Sequence, residues 1–349
     1  MNTKQYNTAV VLAAGTFGSS MASVLSNNFK QVIVKVRSPE LYQTLQKGAN
    51  PLYLPGIKLP QNITPAISWE EVSDLTQSNA HVELIVNGLP SHALSLFAEK
   101  YHYHHILSYL ERGIPIVSLT KGINQHNLKL PDDILFDLFR NYEDLFTFLS
   151  GPSYAEEIIE EQITLVSLAG KSRNTIINVA NMLNTNYFRA FPTYDIKGVL
   201  LGGALKNVLA IAAGILEGLG YNHNTRAALI TAGISDMLRF GQVLNARPET
   251  FYGLSGMGDL ILTTTGTLSR NKWFGKELAK GRSPEEILSS QRTVVEGHQT
   301  SKAAEKLAQK YNIKCRIFNG VYRILYENKN PHSVIEELLS YSAKVHTLF

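Results

Sequence analysis

A chain of 349 residues, 44% hydrophobic and 18% charged, is long enough for two folded domains and too apolar to remain disordered. Its 33 basic and 29 acidic side chains are scattered, so the net charge of +4 comes with no basic arm or polybasic anchor, which argues against nucleic acid or a membrane surface and for a small anionic ligand. The single cysteine, Cys315, excludes an intramolecular disulfide and any cysteine-based metal motif, as suits a reducing cytoplasm.

The first apolar run follows Lys4 and Tyr6 and leads straight into a glycine turn, so it is expected to belong to the fold and not to a cleaved signal. "TAVVLAAG" reads as a strand, residues 19–27 as a helix, "QVIVKVR" as a second strand and "PELYQTLQKG" as a second helix. In the following "NPLYLPGIKLPQN", Pro51, Pro55 and Pro60 are expected to deny the loop regular structure, and a loop this long beside a nucleotide fold is more often part of a site than a spacer. "VELIVNGLP", "IPIVSLTKG", "DLFTFLSGPS" and "ITLVSLAG" are further short apolar runs ending in turn residues, which predicts several parallel strands with right-handed crossovers. His102, His104 and His105 in "YHYHH" match no standard metal spacing and predict an exposed aromatic and polar surface, with no metal.

From about residue 190 alanine- and leucine-rich segments replace strand signals, predicting a doubly wound α/β domain over 1–190 and an all-helical domain over 191–349. The apolar stretch from Val199 to Leu216 is interrupted by Lys206 and Asn207, which predicts a buried helix carrying an unusual lysine and no membrane span. Ser283, Pro284 and Glu286 predict a capping box, and Asn330 with Pro331 starts another helix in the same way.

The turn after the first strand holds Gly15 and Gly18 where a dinucleotide fingerprint has its second and third glycines, with Ala13 in place of the first. A left-handed Ala13 would cost about 1–2 kcal/mol, but the helix N-terminus offers its N–H groups to phosphate regardless. The second strand ends without an acid for the ribose hydroxyls and offers Arg37, suited to a 2′-phosphate or simply a solvated charge. Lys206, Ala210, Ala213, Gly214 and Glu217 form one helical stripe, so the lysine either snorkels to solvent or serves as a binding or proton-exchanging amine. Gly253, Gly256 and Gly258 form a close-approach loop ending at Asp259, and Ser269, Arg270 and Asn271 form either a phosphate-gripping cluster or a helix cap. Lys121, and Gly151, Ser153 and Ala155 in "SGPSYAEE", stand where parallel-sheet proteins bind ligands.

"YLPGIKLPQNI", "TKGI", "LSGPSYAEE", "GGALKNVLAIAAGI", "NTRAALIT", "GMGDLILT", "SRNKWFG", "VVEG" and "VYRILYE" occur in one order along the chain. In this the sequence resembles the bacterial-type NAD(P)-dependent glycerol-3-phosphate dehydrogenases over nearly its whole length. The resemblance implies a Rossmann-like N-terminal sheet and an all-α C-terminal domain, and interconversion of dihydroxyacetone phosphate and sn-glycerol 3-phosphate for phospholipid synthesis. It further implies a cytoplasmic enzyme using NADPH or NADH and no metal, is compatible with a homodimer, and implies no nucleic-acid partner.

By the same resemblance the proton-transferring lysine is Lys206, with Lys121 and Asp259 catalytic beside it. The substrate is held by Lys121, Gly151, Ser153, Lys206, Asn207, Asp259, Thr263, Ser269, Arg270 and Asn271. Cofactor positions fall at Thr16, Phe17, Arg37, Lys121, Ala155, Arg270, Val294 and Glu296, beside Gly15 and Gly18 of the turn. Ala13, Lys35, Leu200 and Ala232 depart from the family's usual glycine, tryptophan, glutamate and arginine. A related 3-hydroxyacid-type reductase and a non-catalytic NAD(P)-sensing module are the alternatives.

Overall fold

The computed structural model describes residues 5–76, 81–94, 102–290 and 295–340. Its contacts separate two compact units, Met1–Thr120 with Pro131–Ile196, and Lys121–Leu130 with Lys197–Phe349. A single boundary near residue 190 is therefore a simplification: the segment carrying Lys121 clusters with the second unit.

The first unit is built on an eight-stranded sheet. Its strands are β1 (Tyr6–Leu12), β2 (Phe29–Lys35), β5 (Ile63–Ala66), β6 (Val82–Asn87), β7 (Ile116–Ser118), β8 (Phe146–Ser150), β9 (Thr164–Gly170) and β10 (Phe188–Thr193). They lie in the order β10-β9-β8-β7-β6-β1-β2-β5. All neighbours from β5 to β8 pair in parallel. The strands at the centre each carry a continuous apolar run, AVVL in β1, VIV in β2 and LIV in β6, because both faces of a parallel sheet are covered, and Ala9, Val10, Val11, Ile33, Leu84 and Ile85 are fully buried.

One pairing departs from the all-parallel expectation: β9 runs antiparallel to β8, and β10 follows it in parallel. After β8 the chain makes only the short Ala155–Ile159 helix, and Glu161 then takes a left-handed conformation, φ 58°, that turns the backbone back along the sheet. The proline-rich loop also differs from expectation. It forms a hairpin, β3 (Ala49–Asn50) with β4 (Leu54–Lys58), paired through Ala49 with Lys58 and Asn50 with Leu54. Pro55 is tolerated because neither pair in this two-rung ladder needs its missing N–H.

The turn after β1 is strained. Ala13 has φ 78°, the left-handed region in which a Cβ costs about 1–2 kcal/mol. It is held from two strands: the Ala13 N–H donates to the Lys35 carbonyl at 3.1 Å, and the Gly88 N–H to the Leu12 carbonyl at 2.9 Å. A Cβ on Gly18 would lie 2.2 Å from the Ala13 carbonyl oxygen, so the third fingerprint glycine is required for the helix Thr16–Ser26 to pack on the turn.

The histidine-rich stretch is exposed only in part: His104 faces solvent, whereas His102 and His105 are half-buried against Trp69. Trp69 is buried and donates its indole N–H to His102 Nδ1 at 2.8 Å, while His105 stacks on the ring at 5.1 Å. Lys35, where the family commonly has tryptophan, is itself buried with its ammonium 5.5 Å from the Trp69 ring centre. Burial, with Lys35, His105 and Arg37 nearby, pulls His102 down to about 4, so it is a neutral acceptor for the indole. No group of three or more metal-ligating side chains occurs among the described residues.

The second unit is helical around Ile196–Gly218. By length and composition this helix could cross a membrane, yet 89% of its most apolar window is buried inside the fold. Its small-residue stripe admits another helix, Arg270–Ala279. A Cβ on Gly214 would lie 1.9 Å from the Lys272 carbonyl oxygen, and one on Gly275 would lie 2.1 Å from that of Ile211. Lys272 completes the crossing by reaching Glu217 at 2.8 Å, where Arg226 and Lys276 also bind. The Ser283 capping box and the Asn330 cap both form.

Ala13→Gly is expected to raise stability by about 1 kcal/mol, the relieved strain less the entropy of a freer unfolded chain, read as a higher thermal midpoint. Gly214→Ala should cost about 2–3 kcal/mol by forcing two backbones apart, read as a lower urea midpoint.

Candidate active site

Lys206 projects from the Ile196–Gly218 helix one turn after Gly202. A Cβ on Gly202 would lie 2.3 Å from the Ser255 carbonyl oxygen, and one on Gly256 would lie 2.2 Å from that of Phe251. The glycine-rich segment thus presses against the lysine helix as a π-turn, Leu254–Gly258, and delivers Asp259 as the first residue of the helix Asp259–Thr265. That is the close approach its glycines predicted.

Asp259 is completely buried and accepts from two ammonium groups, Lys206 to Oδ1 at 2.5 Å and Lys121 to Oδ2 at 3.0 Å. Thr263, one turn further, donates its hydroxyl to the Asp259 carbonyl at 2.6 Å. Its single proton is thereby committed, so the same oxygen accepts from Lys206 at 2.9 Å. Two of the three Lys206 N–H groups are directed in this way. Burial pulls Lys206 down to about 8, against the pull of Asp259 and with the help of Lys121. An amine held there can both give and take a proton near neutral pH, unlike a lysine in water.

Ser269 caps the helix Arg270–Ala279 by accepting the Lys272 N–H at 3.2 Å, so the "SRN" signal is a cap that fixes the two residues behind it. Arg270 is exposed at the helix start. Asn271 is turned inward, donating to Asn207 Oδ1 at 2.9 Å and accepting the Gly297 N–H at 3.0 Å. Asn207 in turn approaches Glu296 at 3.5 Å, and Gly297 has no room for a Cβ, which would lie 2.7 Å from Asn271 Oδ1. Lys121, Lys206, Asp259 and Thr263 therefore form one cluster, and Asn207, Asn271 and Glu296 form a second, to which the lysine helix contributes Asn207 next to Lys206.

The remaining sequence-predicted positions lie in the first unit. The Ser20 hydroxyl bridges the carbonyls of Thr16 at 3.0 Å and Ala155 at 2.9 Å, joining the turn's helix to the one after β8. Phe17 packs half-buried on the core, and Arg37 is exposed just beyond β2. A Cβ on Gly151 would lie 2.8 Å from Val166 Cα, and the Ser153 hydroxyl donates to the Gly151 carbonyl at 2.9 Å. Val294 lies outside the described residues.

Gly15 is the informative case. Its φ of −64° suits any residue, and a Cβ there would meet nothing within 4 Å. Neither backbone nor packing requires a glycine, so the open space above it fits a ligand that approaches the main chain, as a pyrophosphate does at a helix N-terminus. Sequence reading missed Asn50, fully buried behind this turn, and Asn87, buried at the end of β6 and bonded to Ser118 and Thr120. Each is an asparagine at a strand end, a common enough pattern to carry little signal by itself. Of the departures, Leu200 is buried in the apolar helix and Ala232 is exposed.

Comparison with known proteins bears on the same residues. The model of the NAD-dependent glycerol-3-phosphate dehydrogenase N-terminus matches residues 8–176, and that of the C-terminus matches residues 195–336. The chain is 39% identical to the NAD(P)+ glycerol-3-phosphate dehydrogenase of Leptospira biflexa over 96% of its own length and 98% of that protein's. It is 38% identical to that of Syntrophotalea carbinolica with the same coverage. The crystal structure of glycerol-3-phosphate dehydrogenase from Coxiella burnetii superposes with a TM-score of 0.82 at 30% identity, covering 97% of this chain and all of that one. A D-mandelate dehydrogenase, 13% identical with a TM-score of 0.56, shares the fold alone. On both halves of its length, the chain belongs to the NAD-dependent glycerol-3-phosphate dehydrogenase family.

Proposed function

We propose that the protein reduces dihydroxyacetone phosphate to sn-glycerol 3-phosphate, with Lys206 as the proton donor and NADPH or NADH as reductant. The observation that carries this reading is the buried Lys206–Asp259–Lys121 cluster, with both ammonium groups within 3.0 Å of one carboxylate. The bound dinucleotide supplies the hydride. Lys206 directs its third N–H at the substrate carbonyl and passes that proton to the oxygen as negative charge develops there; in reverse the neutral amine takes the hydroxyl proton. Asp259 keeps the amine charged and aimed, and Lys121 adds a second positive charge to the site.

Arg270, exposed at a capped helix start, anchors the substrate phosphate through its planar fork, while Asn271 orients Asn207 and the Glu296–Tyr311 helix. In the first unit Gly15 and Gly18 form the dinucleotide turn, and Arg37 receives the 2′-phosphate that distinguishes NADPH. Gly151, Ser153 and Ala155 complete the set at the sheet's carboxyl end, as the product's role in glycerophospholipid synthesis would require of a dedicated enzyme.

The direct test is loss of NADPH or NADH absorbance with dihydroxyacetone phosphate, beside unphosphorylated dihydroxyacetone. Oxidation that proceeds equally well without the phosphate would refute the assignment. The reductive rate is expected to be level below about 8, the value for Lys206, and to fall roughly tenfold per pH unit above it. The oxidative rate should rise up to the same point and then level, which steady-state rates from pH 6 to 10 would show.

Lys206→Met should lower kcat by about 100-fold or more while leaving cofactor affinity intact. Asp259→Asn removes the charge that raises the Lys206 pKa, so the reductive limb should move to lower pH, checked by the same profiles.

A further inference from the structure

We propose that Asn50 is a positioning residue that aims the Gly15 amide at the pyrophosphate of the cofactor. The assignment rests on the reading of the Gly15 turn as the dinucleotide site. Asn50 is fully buried at the end of β3, and its side-chain nitrogen donates to the Ala14 carbonyl at 2.9 Å and to Ser19 Oγ at 2.8 Å. A carbonyl oxygen only accepts, so Asn50 must present its NH2 here and its orientation is determined.

Ala14 and Gly15 share a trans peptide, in which the C=O and the N–H point to opposite sides. Drawing the Ala14 carbonyl inward to Asn50 turns the Gly15 N–H outward. It emerges on a residue whose Cβ position is empty to 4 Å, where a phosphate oxygen has free approach to the main chain. Ser19 supports the arrangement by donating to the same carbonyl at 3.3 Å, and its own N–H donates to the Gly15 carbonyl at 2.9 Å.

The chain has a particular need for this clamp. Ala13 is held in a left-handed conformation that a methyl group resists, and rotation of the following peptide is the simplest way for the turn to relax. Asn50 blocks that rotation from behind. The hairpin that carries Asn50 therefore acts as the rear wall of the cofactor turn, which gives the proline-stiffened loop a function.

The test measures NADH and NADPH dissociation constants by calorimetry, with KM and kcat alongside, for the intact protein and for Asn50→Leu, Gly15→Val and Ala13→Gly. Asn50→Leu is expected to weaken both cofactors alike, by about tenfold, because the pyrophosphate is common to them, with kcat at saturating cofactor changed less than about twofold. In the Ala13→Gly background the same substitution should cost no more than about threefold, since an unstrained turn holds its direction without the clamp. Unchanged dissociation constants in Asn50→Leu, or a full loss persisting in the Ala13→Gly background, would overturn the assignment. Should Asn50→Leu fail to fold, the isosteric Asn50→Asp in the otherwise intact chain replaces it, where a carboxylate oxygen faces the Ala14 carbonyl, with weakened binding of both cofactors expected and unchanged binding overturning the assignment. Gly15→Val separates the two levels: normal NADH binding there would remove the dinucleotide reading of the turn, whereas lost binding there with normal binding in Asn50→Leu would remove only the role of Asn50.

Discussion

One buried carboxylate organises the second unit. Asp259 is sealed from water and bridges two lysines, so the cluster of one carboxylate and two ammonium groups holds a net positive charge where an unpaired ion would be expelled. The arrangement is supported by directed hydrogen bonds, including those of the Thr263 hydroxyl, which donates to the Asp259 carbonyl and accepts from the Lys206 ammonium. Desolvation and the second lysine lower the basicity of Lys206 while Asp259 opposes them, and the balance leaves it at about 8, within reach of the proton transfer proposed for it.

That balance depends on backbone contact. Gly202 lets the lysine helix touch the segment leading to Asp259, and Gly214 lets the same helix touch the one that carries Arg270 and Asn271. Side chains between these elements would introduce rotamer freedom into distances that acid–base chemistry needs fixed. Glycine removes the layer altogether. The charged hub at Glu217 then locks the far end of the crossing with three basic partners.

Much of this was legible in the sequence, for particular reasons. The central strands carry short continuous apolar runs, AVVL in β1 and VIV in β2, whose pattern needed no tertiary help, and the Ser283 capping box was readable because it is satisfied within four residues. Lys206 stood out as a charge inside an apolar helix, and Asp259 as the end of a glycine run. The reversal of β9 was not legible, since a strand's direction is set by the turn before it and Glu161 gives no sign of its left-handed conformation. The hairpin at β3–β4 was hidden by its prolines, and the packing of Lys35 and His102 against Trp69 by their polarity; in the second case a partner distant in sequence overrode the local preference. Asn50 could not be singled out because its role is defined by the Ala14 carbonyl, a group every residue possesses.

The glycines divide into two kinds, and selection will treat them differently. Gly18, Gly214 and Gly275 are enforced by neighbouring atoms of the chain itself, whereas nothing in the protein opposes a side chain at Gly15. A population of variants sorted only for folding would keep the first three and let residue 15 drift, and would gain from the drift, because a glycine in ordinary backbone conformation loses more entropy on folding than its replacements. On the proposed reading of the turn, only a ligand outside the polypeptide would hold a glycine at position 15, and its presence or loss in a diverging lineage would record whether that ligand is still bound.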